Sequence, residues 1–86
     1  MEEIKKTVKE YILKEFLPGE NPEALTDATP LVTGGILDSL ASLKLVTFLE
    51  EQFNIQIEAH EVNVDSLNTL NDIAKFVQIK LNGASV

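Results

Sequence analysis

Residues 34–53 read GGILDSLASLKLVTFLEEQF, and this stretch decides the fold. Its second half places Leu45, Val46, Leu49 and Phe53 at i, i+1, i+4 and i+8, an apolar stripe with the period of an α-helix. Leu40, Leu43 and Thr47 fall at i, i+3 and i+7 on an adjacent face, the one nearest Ser39. Burial of both faces would put this helix at the centre of a bundle. Exposure of the second would instead leave Leu40 and Leu43 as anchors for a partner. Asp38-Ser39-Leu40 opens the helix, since aspartate and serine both favour helix starts. Gly34-Gly35 just ahead permits positive φ or close backbone approach. The same tripeptide returns as Asp65-Ser66-Leu67.

Working outward, Ile4, Val8, Ile12 and Phe16 recur every fourth residue with Tyr11 beside them, which predicts a helix over about 2–16. Leu17-Pro18-Gly19 ends it, because proline cannot continue the ladder. The central helix spans about 39–54. Thr69 caps a last helix over about 70–82, with Asp72 three residues on as a short-armed capping box. Its expected buried stripe is Leu70, Ile73, Ala74, Val77 and Leu81, and Asn82-Gly83 is its stop. Between them EAHEVNVDSLN has room for one or two short turns, including a short helix over about 65–68. FNIQIEA alternates too briefly, and without a partner run, to make a strand. The expectation is all-α: one domain over 1–86, a small four-helix bundle with three long helices and a short third.

The linker over 17–38 is far longer than the roughly two to eight residues usual between bundle helices. Leu25, Leu31, Ile36 and Leu37 punctuate it and could pin it over the bundle, while Asp27, Thr29 and Pro30 supply turn chemistry. A long, anchored loop that delivers Asp38-Ser39 to a helix start has the form of a presenting device.

Composition narrows the function. Of the 86 residues 44% are hydrophobic, enough for a core, and no apolar run approaches the roughly 20 residues of a membrane span. The start MEEIKK lacks the apolar segment of a signal peptide. Without cysteine there is no disulfide or thiolate metal site, and a cytoplasmic location is expected. Residues 20–65 carry nine acidic groups against Lys44 alone, whereas residues 1–19 balance four lysines with four glutamates. Acidity in the middle of the chain repels phosphate backbones, which argues against nucleic acid, and attracts basic protein patches. The plainer alternative is a solvated surface that keeps the domain soluble.

Intrinsic catalysis is not expected. A nucleophilic serine needs a base, and the one histidine, His60, sits in a polar segment with nothing to orient it. Metal-ligand spacings and phosphate-cradling glycine loops are absent. A serine at a helix start can instead be acted upon, because unpaired N–H groups and the positive end of the helix dipole welcome a phosphodiester. Simple capping is the competing explanation and would serve for both Asp-Ser-Leu copies.

The run TPLVTGGILDSLASLKLVTFLEEQFNIQI resembles the acyl carrier protein family, the phosphopantetheine-bearing carriers of fatty-acid, polyketide and related pathways. Leu31, Gly35, Asp38, Ser39, Leu40, Leu45, Val46, Leu49, Glu50, Glu51 and Phe53 occupy the family's places, and the resemblance covers essentially the whole chain. It implies that Ser39 carries 4′-phosphopantetheine from coenzyme A, with Asp38 assisting a Mg²⁺-dependent transfer. The arm's thiol would then hold an acyl or aminoacyl thioester, so a chain without cysteine borrows its thiol chemistry. Implied partners are a phosphopantetheinyl transferase, an acyl- or aminoacyl-activating ligase and a downstream transferase or synthase, with the carrier a monomer. Ser66 falls at the family's short third helix and is expected to be a capping or turn residue.

Two positions depart from the family's fatty-acid synthase type. Ala41 and Lys44 stand where that type usually has acidic residues, and the Gly-Gly-His-Ser of peptide-synthetase carriers is missing. A discrete carrier of a specialised pathway is therefore expected over the housekeeping one. Leu40, Leu43, Lys44 and Thr47 are its expected recognition residues; the alternative of another class is an unmodified interaction module.

Overall fold

A computed structural model describes residues 2–19 and 21–83. Four helices carry the fold: α1 (Glu2–Phe16), α2 (Ser39–Phe53), α3 (Val64–Leu67) and α4 (Leu70–Gly83). Short 3-10 turns lie at Pro22–Ala24 and Ala59–Glu61, and there is no strand among the described residues. The architecture is the all-α bundle that the periodicity demands. No helix among the described residues is long and apolar enough to cross a membrane.

Helix α1 has Glu2 and Glu3 in its first turn and Lys14 in its last, charges that complement its dipole. Its buried face is Ile4, Val8 and Ile12. It packs on α4 and α2, and α4 buries Leu70, Ile73, Ala74 and Val77 in the same core. Tyr11 joins α1 to α2: its ring stacks on Phe48 with centroids 4.0 Å apart, and its hydroxyl donates to the Lys44 carbonyl. Burial pushes the Tyr11 phenol above its ordinary range, with Glu15 adding to the effect.

Leu81 departs from the stripe expected of α4, being 44% exposed. The helical spacing is kept, but the last turn of α4 passes Asn54–Gln56, where α2 has already ended. Phe16 and Phe53 are half-buried at the edge of the core. Asn54 closes α2 in the left-handed region at φ 54°, its N–H donating to the Glu50 carbonyl. The Glu50 carboxylate then accepts the Ile57 N–H at 2.9 Å and holds the descending chain against the helix.

The linker is a packed layer. Leu25, Leu31 and Leu37 are buried and Ile36 is half-buried. The Asn71 N–H donates to the Asp27 carbonyl, and Lys5 pairs with the Asp27 carboxylate, so the linker is tied to α4 and α1.

Helix α3 is capped by Asn63, whose side chain accepts the Ser66 N–H at 3.0 Å. Ser66 is thus neither cap nor turn residue but the third residue of a four-residue helix. A side-chain oxygen three residues upstream takes the capping role instead. Thr69 Oγ1 accepts the Asp72 N–H at 3.0 Å and starts α4.

Candidate functional site

The site is the start of α2. Asp38 has extended backbone, φ −88° and ψ −173°, and its Oδ1 accepts the Ala41 N–H at 2.7 Å. Asp38 is therefore the cap, and Ser39 is the first helical residue. With the cap supplied by Asp38, the Ser39 hydroxyl has no structural role. The residue is exposed, and the hydroxyl makes no hydrogen bond among the described residues. It stands where unpaired N–H groups and the positive dipole end favour an anion.

Both possibilities raised by Gly34-Gly35 occur, one at each glycine. Gly35 has φ +85°, with its N–H donating to the Val32 carbonyl, so it turns the chain. At Gly34 a Cβ would collide with the Pro30 carbonyl oxygen. Together they fold the loop tightly enough to bring Leu37 under the core and Asp38 to the helix.

Beside Ser39 opens a groove of about 620 Å³ between the start of α2, the Val32–Leu37 loop and α3. Its walls are Leu37, Leu43, Val62, Val64 and Leu67, with Ser42 and Asn63 as polar points and Asp38 as its one charged residue. That size lies within the roughly 300–1,000 Å³ of small-molecule sites. An exposed hydroxyl at the mouth of an apolar groove fits an extended, largely uncharged arm attached through a phosphodiester.

Leu40 and Leu43 are 64% and 58% exposed, and Lys44 and Thr47 are exposed with them. This settles the choice left open for the second face of α2, which is not part of the core. Thr47 donates its hydroxyl to the Leu43 carbonyl at 3.1 Å. His60 is exposed on the Ala59–Glu61 turn and makes no hydrogen bond to Ser39. Ser66 is half-buried inside α3.

Sequence reasoning missed Asn68. Its Oδ1 accepts the Val32 N–H, the Thr33 N–H and the Thr33 hydroxyl at 3.1, 3.0 and 3.2 Å. Its backbone carbonyl accepts the Leu31 N–H. Partners 35 to 37 residues away leave no local signal. Lys80 and Glu61, which form an ion pair between α4 and the turn before α3, escape a sequence reading for the same reason.

Comparison with known proteins matches residues 11–77 to the phosphopantetheine attachment site family. A D-alanyl carrier protein of Streptococcus pyogenes is 33% identical over 75 residues, covering 87% of this chain and 91% of that protein. An acyl carrier protein of Wolinella succinogenes is 30% identical over 71 residues, 83% of this chain and 88% of its own. A D-alanyl carrier protein of Leuconostoc mesenteroides is 43% identical over 44 residues, 51% of this chain and 56% of that one. The chain belongs to the phosphopantetheine attachment site family and is a carrier protein whose cofactor is 4′-phosphopantetheine.

Proposed function

We propose that Ser39 is the attachment residue and that the chain carries an acyl or aminoacyl group as a thioester on the arm, presenting it to successive enzymes. The observation that carries this is the division of labour at the start of α2. Asp38 caps the helix through Oδ1, so Ser39 keeps an exposed, unengaged hydroxyl at the dipole's positive end. Attachment forms a bond from Ser39 Oγ to the phosphorus of coenzyme A and breaks the bond to the adenosine bisphosphate leaving group. The hydroxyl proton passes to a base of the transferase. Asp38 Oδ2, which makes no hydrogen bond among the described residues, is available to a Mg²⁺ ion that the transferase brings. When attached, the arm supplies the thiol that the chain lacks.

The exposed strip of Leu40, Leu43, Lys44 and Thr47 supports a docking role for those four residues. Likeness to carriers named for D-alanine supports a discrete carrier loaded by its own activating ligase. In this reading the chain is a carrier with no catalysis of its own that works as a monomer in the cytoplasm.

Intact mass after incubation with coenzyme A, Mg²⁺ and a broad-specificity phosphopantetheinyl transferase tests the site. Wild type and Ser66→Ala are expected to gain one phosphopantetheine, and Ser39→Ala none. Modification of Ser39→Ala, or of no variant while the protein is folded, would sink the proposal and favour an unmodified interaction module.

A further inference from the structure

The second Asp-Ser-Leu copy is followed directly by Asn68, and the bonds of Asn68 lead back to Ser39. We propose that Asn68 is a positioning residue for arm attachment: it clamps the Leu31–Thr33 segment to α3 and so fixes the loop that delivers Asp38 and Ser39. This rests on Ser39 being the attachment residue.

The chain of bonds is continuous. Asn68 Oδ1 takes three donors from Val32 and Thr33, while its carbonyl takes the Leu31 N–H. Only an oxygen can face two backbone N–H groups, so the partners fix the orientation of the amide. The Leu31 carbonyl accepts the Leu37 N–H at 2.8 Å, closing residues 31–37 into a ring. Gly35 turns inside that ring, and Asp38 follows it directly as the cap of α2. Val32 and Leu67, which flank these bonds on either side, both line the groove beside Ser39. Leu67 anchors the α3 end by burial, so the clamp is seated on the core.

Energetically the clamp acts on a population. If the loop samples other arrangements, only the fraction with Ser39 correctly set can dock, and apparent affinity falls by that fraction. Loss of three bonds at one oxygen that reduces this fraction to about a tenth would raise KM for the carrier about tenfold, with kcat nearly unchanged. General destabilisation does not do this while the protein remains folded.

The test follows transfer of the arm by mass at varied carrier concentration, together with amide hydrogen exchange on the unmodified chain. Asn68→Ala is expected to raise KM about five- to tenfold and to speed exchange at Val32, Thr33 and Leu37. Asn68→Asp keeps the acceptor oxygen and is expected to restore both. The core variant Val77→Ala, buried in α4, serves as the control for destabilisation and should leave KM unchanged. Should Asn68→Ala fail to fold, Thr33→Val removes one donor from an exposed residue and is expected to raise KM about two- to threefold. An unchanged KM in Asn68→Ala, or equal impairment in Asn68→Asp, overturns the role. Failure of the wild type to accept the arm is a different result: it removes Ser39 as the attachment residue, and the positioning role with it.

Discussion

Asp38 caps α2 through one oxygen, and the proposed function gives its other oxygen a second role. Oδ1 is committed to the Ala41 N–H, and in the proposed function Oδ2 is the oxygen offered to the ion that accompanies transfer. Two substitutions separate them. Asp38→Asn keeps a capping oxygen and is expected to stay within about 0.5 kcal/mol of wild type in urea unfolding. The same variant should lose about tenfold or more in the rate of arm attachment, since a neutral amide is a poor ligand for Mg²⁺. Asp38→Ala should lose both, with about 1 kcal/mol of stability. Equal attachment by Asp38→Asn and wild type would leave Asp38 as a cap alone. At this scale the sequence was legible wherever chemistry is local. The twin glycines announced a tight turn, and Asp-Ser-Leu announced a helix start. What the string could not say was which of Asp38 and Ser39 would cap, because both residue types can and only the backbone angles decide.

At the scale of elements, legibility followed range. Helices α1, α2 and α4 declare themselves through apolar residues that repeat along their own length. The linker's buried leucines were readable too, as apolar punctuation in a stretch with turn residues. Asn63 could have been read as the cap of α3 from its spacing to Ser66, but the second Asp-Ser-Leu offers a competing cap nearby. The ties between elements were not legible, since Asn68 with Val32 and Lys80 with Glu61 are matched only by folding. The second tie makes a pH prediction. The Lys80 ammonium, then the Glu58 N–H, hold the Glu61 carboxyl below its ordinary value near 4.5, with His60 contributing further. A carboxyl depressed in the folded state stabilises fully above its unfolded value, and that stability is lost as pH falls through the folded value. The urea midpoint should therefore fall below about pH 4.5, and Lys80→Met should flatten that part of the profile. Parallel profiles for wild type and Lys80→Met would show that the pair adds nothing to stability.

For the molecule as a whole, the question is how a carrier meets its enzymes. Nine acidic residues lie between positions 20 and 65, the span that contains the linker, α2 and the turn before α3. In the proposed function a field of that sign draws basic enzyme surfaces to this part of the chain and acts mainly on the rate of encounter. The proposed function assigns contact itself to the exposed apolar strip, where Leu43 both stands 58% exposed and lines the groove. Leu43→Glu separates steering from contact, because it adds a charge of the steering sign while removing the apolar anchor. Loading of the arm by an activating ligase is expected to fall about tenfold or more, a loss of about 1.4 kcal/mol or more at docking. Thermal unfolding should shift by less than about 4 °C, because little of the side chain is taken from the core. Unfolding of Leu43→Glu would place Leu43 among the structural residues of α2. Undiminished loading in a folded variant would move the docking face to the far side of Ser39, towards α3.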